Sequence, residues 1–290
     1  MGTAARRKAL RMNAFAWLLL FPSLIFLLLF TLYPVFGSLK LSLYQADLGT
    51  PEPYFAGLDN YAAMAEDEVF WKVLTNNVWF AVGTVPTSIM ISLLMAIFAN
   101  KVMRAKGLVR TAFFYPTVIP MIAIGNIWLF IYTPDYGMVA RVLEWFGLEG
   151  PNWLGTQSLV MIAMIIMVLW KEAGYFMVFF LAGLQNISEE LYESAKVDGV
   201  PAWRVFWRIT FPLLMPTTLF VSIIALTNSF KLVDHLWIMT KGGPENASNL
   251  LLYYIFETAF SFWDRGMASA LTTVMIAIAQ KTVAELYPVL

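Results

Sequence analysis

Two adjacent charges, Lys171 and Glu172, interrupt an otherwise uncharged run at residues 158–183. At 1.5 Å per residue Lys171 lies roughly 20 Å into that run, too deep for easy snorkelling. A charge at the centre of a spanning helix costs about 2.5–3.5 kcal/mol on insertion scales, so such residues face a cavity or a partner. Lys171 and Tyr175 are four apart and share a helix face. Glu172 points about 100° away and is not the facing partner of Lys171. Two readings stay open: the pair lines a solute path, which would favour an anionic solute, or it forms structural pairs with neighbouring helices. Asn228 and Lys231, three apart at the end of a later apolar run, are further path candidates, and Lys231 serves equally well as an interfacial anchor. The chain has no cysteine, a single histidine at His235 and no G-x-x-x-x-G-K-[ST]. Thiolate chemistry, a His-rich metal or haem site and a nucleotide motor are therefore excluded, and no catalytic residue or metal site is expected. Met161, Met164 and Met167, three apart, are read as packing. No basic patch suggests nucleic acid.

A second cluster lies at residues 186–210. Glu189 and Glu190 suit a helix start, where negative charge meets the positive end of the dipole. Ser188 opens no capping box, because Leu191 stands where that motif wants Glu or Gln. Ile187, Leu191, Ser194 and Ala195 fall along one helical face, flanked by Glu190, Glu193 and Lys196. Gly199 permits a left-handed turn, and Pro201 suits the start of a second short helix at 202–209. That helix places Trp203, Phe206 and Trp207 at a membrane interface, with Pro212 and Pro216 at the mouth of the next apolar run. The segment either seals a bundle from below or docks a partner through small residues on an amphipathic face.

The elements that position these residues follow from composition. The chain has 290 residues, a formal charge of zero, 60% hydrophobic and 13% charged residues, against roughly 25% charged in a soluble domain. Mean hydropathy is +0.69. Apolar runs at 14–39, 78–99, 111–133, 158–183 and 209–230 match the ~20 helical residues that cross a bilayer. A sixth, from residue 266, is uncharged only to 279, where Gln280, Lys281 and Glu285 intervene and Lys281 would snorkel to the interface. Arg6, Arg7, Lys8 and Arg11 precede the first run, and Lys101, Arg104, Lys106 and Arg110 separate the second and third. Residues 40–72 carry two bases against six acids. Since Lys and Arg stay on the cytoplasmic side, the N-terminus and residues 186–208 lie inside and residues 231–265 outside. Trp17, Trp79, Trp128 and Trp153 read as interface belt and packing.

The sequence E-S-A-K-V-D-G at 193–199, followed by I-T-F-P at 209–212, resembles the EAA loop of ABC importer permeases. The family form is E-A-A-x-x-D-G and then I-x-L-P; here Ser194 and Phe211 depart from it. F-A-G-L-D-N-Y at 55–61, L-A-G-L-Q at 181–185, T-K-G-G-P at 240–244 and G-M-A-S-A at 266–270 resemble motifs of its carbohydrate-type branch, the maltose/glycerol-3-phosphate permeases. The resemblance runs from about residue 15 to 279.

That resemblance implies an all-α polytopic membrane protein with the type I ABC importer permease fold, about six transmembrane helices and a cytoplasmic N-terminus. It implies a cytoplasmic tail at 1–13, a transmembrane domain at 14–279 containing a coupling loop at 186–210, and a tail at 280–290 that departs from the family pattern. The chain would be one of two permease subunits (a heterodimer) in a bacterial plasma (inner) membrane. Two ATPase subunits and an external solute-binding protein would be its partners. It would carry no cofactor itself, ATP and Mg²⁺ being bound by the ATPase subunits. The same resemblance assigns ATPase coupling to Glu193, Ser194, Ala195, Asp198 and Gly199, with Glu193 as polar anchor, Ser194 and Ala195 allowing close approach, and Asp198 and Gly199 holding the turn. Lys171, Glu172 and Tyr175, just after the Trp of their helix, become solute-path positions, and Thr240, Gly242, Gly243 and Pro244 form an external turn facing the binding protein. The expected solute is a sugar or sugar derivative; if Lys171 lines the path, a sugar sulfonate, sugar phosphate or glycerophosphodiester. The rivals are a secondary transporter or channel working without ATPase subunits, which often shows inverted repeats and broken helices, and an intramembrane enzyme. Mostly unbroken spans and the absence of an internal repeat count against the first rival; the lack of a nucleophile–base pair counts against the second.

Overall fold

The structure, a computed structural model, describes residues 3–49, 52–101, 105–231 and 233–286. Arg104 of the basic loop and the last four residues of the 280–290 tail lie outside them. The chain divides into two units, residues 1–64 with 258–274 and residues 65–257 with 275–290.

In the first unit, α1 (Thr3–Leu27) continues through a π-helical turn (Leu28–Leu32) into α2 (Tyr33–Leu41), giving one apolar helix over Phe15–Leu41. The π turn has a local cause. Pro34 has no N–H for the carbonyl four residues back, Phe30, and its ring crowds that carbonyl, so the helix widens just before it. A second π turn, Phe206–Thr210, precedes Pro212 in the same register. A two-stranded ribbon follows, β1 (Tyr44–Gln45) antiparallel to β2 (Tyr54–Phe55). Asn60, at the start of α3 (Asp59–Glu66), donates from its side chain to the carbonyls of Ser42 (2.9 Å) and Tyr44 (3.0 Å). Gly266 lies so close to this turn that an added Cβ would fall 2.4 Å from the Tyr44 carbonyl oxygen. Two motifs far apart in sequence, 55–61 and 266–270, are thus one backbone joint.

In the second unit, α4 (Glu68–Lys101) runs 34 residues, about 50 Å, well beyond the hydrocarbon layer and beyond the apolar run that marks it. Beyond Phe80 its buried stripe, Thr84, Ser88, Ser92, Ala96 and Ala99, is small and lightly polar, with the hydroxyls back-bonded to their own helix. Small residues let helices approach closely in lipid, and α8 (Gln157–Gln185) packs there. Met164 and Met167 are buried in this packing, as expected. The run at 111–133 is not one continuous helix: α5 (Lys106–Val118) and α6 (Met121–Tyr132) meet at a 96° bend. Pro120 explains the break, because the residue before a proline is forced out of the helical region, and Ile119 is extended (φ −71°, ψ 131°). The expectation of one continuous helix over 111–133 is corrected here.

The rest of this unit comprises α7 (Met138–Trp145), α9 (Glu189–Val197), α10 (Ala202–Val205) leading into the second π turn, α11 (Phe211–Lys231), α12 (Asp234–Met239) and α13 (Leu251–Phe260). The last helix, α14 (Arg265–Leu286), continues through Gln280 and Lys281, and Lys281 pairs with Glu285 at 3.9 Å one turn on. Among the described residues, four helices are long and apolar enough to cross a membrane, five with the bent pair counted as one. At 22 residues, about 33 Å, α14 has the length but is less apolar than the others, with Gln280, Lys281 and Glu285 in its last turns.

Candidate coupling loop and solute path

The 186–210 segment folds as two caps around one short helix. Ser188 is the N-cap of α9, its hydroxyl accepting the Glu190 N–H at 3.3 Å, an N2 cap in place of the missing capping box. At the other end Gly199 is left-handed (φ 66°), the Val200 N–H donates to the Ala195 carbonyl (2.9 Å) and the Gly199 N–H to that of Lys196 (3.2 Å). This is the Schellman closure that glycine at C′ permits. Gly199 therefore holds the turn, while the carboxylate of Asp198 is exposed.

The outward surface differs from the expected one. Ala195 is only 6% exposed and Ile187 9%, so both face the bundle, Ile187 within the cluster of Phe180, Leu184 and Leu214. Ala195 is thereby corrected as a site of close approach to a partner: a helix this short lays one edge of its small-residue face onto its own core. Glu193 and Ser194 are exposed, and the Ser194 hydroxyl donates to the Glu190 carbonyl of its own helix (2.8 Å). Beside them stand Leu191 and Val197, the latter 87% exposed, an apolar knob that the helical wheel did not single out. The Tyr192 hydroxyl and Thr210 Oγ1 lie 3.1 Å apart, tying α9 to the π turn that opens α11.

Lys171 and Glu172 are each engaged by a different helix. The Lys171 ammonium donates to the carbonyls of Ile119 (2.8 Å) and Thr117 (3.3 Å), and Thr117 Oγ1 donates back to the Lys171 carbonyl (3.1 Å). The break before Pro120 leaves the last carbonyls of α5 without helical partners, and a cation is what that negative helix end attracts. At Gly174 an added Cβ would fall 1.9 Å from the Phe113 carbonyl oxygen, so α5 and α8 touch backbone to backbone just beside this clamp. Glu172 Oε1 accepts the Asn228 amide at 3.2 Å, joining α8 to α11. The half-buried Tyr175 ring meets Phe176 and Phe179. Lys231 is exposed in the last turn of α11 and, among the described residues, makes no ion pair with this group.

The turn at 240–244 is mostly internal scaffolding. Gly242 is buried and left-handed (φ 78°), with Asn249 3.1 Å from where a Cβ would sit. The Ser248 hydroxyl bonds Thr240 Oγ1 (2.8 Å) and the Gly243 carbonyl (2.6 Å), and Gly243 and Pro244 are half-buried. From α4, the Asn76 amide donates to the carbonyls of Asn246 and Asn249, Lys72 to that of Glu245 (2.6 Å), and Asn77 Oδ1 accepts the Leu251 N–H (2.6 Å). Gln157 of α8 bonds the Glu245 carboxylate. The exposed side chains are Lys241 and Glu245, not the four residues the motif marked.

Residues 88–280 match the family described as the binding-protein-dependent transport system inner membrane component. Among curated relatives, the sulfoquinovosyl glycerol transport system permease protein SmoG of Agrobacterium fabrum is 34% identical, over 91% of this chain and 86% of that protein. The lactose transport system permease protein LacF of Rhizobium radiobacter is also 34% identical, over 90% and 89%. The crystal structure of a bacterial ABC transporter involved in the import of the acidic polysaccharide alginate contains a chain that superposes with a TM-score of 0.85 over 98% of both chains, at 22% identity. That likeness establishes the fold. The chain belongs to the binding-protein-dependent inner membrane transport components and is a multi-pass permease subunit of a sugar ABC importer.

Proposed function

We propose that this subunit forms half of a solute path that alternates its access as α9 is moved by a separate ATPase, and that the solute is an anionic sugar derivative. ATP and Mg²⁺ belong to the ATPase partners in this reading, together with a second permease subunit and an external binding protein that meets the 240–244 turn through Lys241 and Glu245. The observation that carries it is the build of α9. Its inner edge, Ile187 and Ala195, is anchored in the bundle, while Glu193, Ser194 and Val197 stand exposed. The helix is joined to α8 directly and to α11 through α10 and the Tyr192–Thr210 bond, so a shift of α9 would carry both long helices.

Lys171 supports the anionic solute. An ammonium has three donors, and the α5 carbonyls occupy two; the third can meet a sulfonate or phosphate, while Tyr175 and the Glu172–Asn228 pair suit hydroxyls. The deciding experiment is uptake by the intact importer carrying Glu193→Lys. Transport falls while the external protein still captures solute; normal uptake would overturn the coupling role. Competition with sulfonated, phosphorylated and neutral sugars then tests the charge preference.

A further inference from the structure

A cavity of about 480 Å³, bounded by the end of α4, by α9 and by the α10–π segment, is lined in part by Tyr192 and Thr210 and holds two cations that the coupling reading does not use. Its size falls within the ~300–1,000 Å³ range of small-ligand sites. Lys101, from the last turn of α4, and Lys196, from α9, share its rim with Asn100; Ile97, Leu184 and Phe206 form its apolar floor. Among the described residues neither lysine makes an ion pair. Each lysine offsets the negative end of its own helix, but that does not account for two cations placed over one apolar floor.

We propose that this cavity holds an anionic phospholipid of the cytoplasmic leaflet, its phosphate at Lys101 and Lys196 and the upper part of an acyl chain along Ile97, Leu184 and Phe206. The charges are complementary, and the order from polar rim to apolar floor is that of a phospholipid. A soluble anion would satisfy the lysines and leave the floor wet, at a hydrophobic cost. The site also lies at headgroup level: Trp203 and Trp207 are exposed beside it, with the Arg204 guanidinium 5.5 Å from the Trp203 ring centroid. Exposed aromatic and basic residues mark the membrane interface, and basic pockets between helices on the cytoplasmic side bind anionic headgroups. A lipid there wedges α9 against α4, so occupancy adjusts how firmly α9 is held during coupling. The effect on transport rests on the coupling reading; occupancy does not.

The test uses the intact importer with its ATPase subunits. Native mass spectrometry counts retained phosphatidylglycerol, and uptake is compared in phosphatidylcholine vesicles with and without it. For the wild type, lipid is retained and uptake rises with phosphatidylglycerol. The double variant Lys101→Gln/Lys196→Gln still assembles with its ATPase, but retention weakens roughly thirtyfold, about fivefold per lysine, and uptake no longer responds. Unchanged retention in the double variant overturns the proposal. So does reproduction of the wild-type response by inorganic phosphate in neutral vesicles, which would make the ligand a soluble anion, or loss of the ATPase from the variant, which would make the cavity part of that interface. Normal uptake in Glu193→Lys would remove the coupling reading while leaving the retention result standing.

Discussion

The coupling segment at 186–210 and the external turn at 240–251 both announce themselves by a short motif, yet the motif residues do opposite work. In the external turn they face inward. Gly242 is buried, Thr240 holds Ser248, Lys72, Asn76 and Asn77 reach in from α4 to hold the backbone, and Gln157 of α8 bonds the Glu245 carboxylate. In the segment at 186–210 Glu193, Ser194 and Asp198 face outward, and only Gly199 and the buried Ala195 serve the fold. A motif can record a folding constraint or a contact surface, and burial tells them apart: changes in the external turn should act on stability, changes on the outer face of α9 on transport.

The largest expected effect is that of Glu193→Lys. On the proposed coupling role, reversing this exposed charge places like charges together, which costs several kcal/mol, so uptake falls at least about tenfold. The melting temperature of the purified subunit complex stays at its wild-type value because Glu193 is exposed and makes no ion pair among the described residues. A matching loss of thermal stability would break the contrast.

Asn77→Ala tests the other side. It leaves the buried Leu251 N–H without its acceptor, at about 1–3 kcal/mol. Limited proteolysis within 240–250 should accelerate with the population of the opened turn, roughly 5- to 150-fold for that loss. Unchanged cleavage would mean that Lys72 and Asn76 hold the turn without Asn77.

Two glycines give a matched pair. Gly242 and Gly199 are both left-handed, but a Cβ at Gly242 meets the Asn249 side chain at 3.1 Å whereas one at Gly199 meets nothing within 4 Å. The left-handed conformation costs a non-glycine residue roughly 1–2 kcal/mol in either place, so thermal unfolding should rank Gly242→Ala as the more damaging. Equal melting shifts would say that the crowding at Asn249 relaxes without cost.

What the sequence made legible follows the same division. Apolar runs and basic loops report on the solvent around each residue, so the span positions and the two motif-bearing loops could be read directly. The bend at Pro120 was written in the proline, yet the unbroken hydrophobicity of 111–133 concealed it, because apolarity measures burial in lipid and not continuity of the helix. The role of Lys171 was hidden for another reason: its partners are main-chain carbonyls of another helix, and every residue type has one. Gly174 carried no signal either, since the close approach of α5 is a property of the packed pair. Ala195 was misplaced because a helical wheel describes a face and does not say which edge of it the protein keeps for itself.

Ser194→Ala is the smallest expected effect and the most discriminating. It restores the residue of the family pattern and removes a hydroxyl already bonded to the Glu190 carbonyl of the same helix. Such back-bonding slightly destabilises helices and alanine is the better helix former, so stability should move by no more than about 0.5 kcal/mol. Uptake should stay within roughly twofold, because a hydroxyl spent on its own helix offers the partner little more than its small size. A large fall in uptake at unchanged stability would show that this hydroxyl turns outward to bond the ATPase. Close approach would then no longer explain position 194, and the contact surface of α9 would extend from Glu193 to a second directional bond.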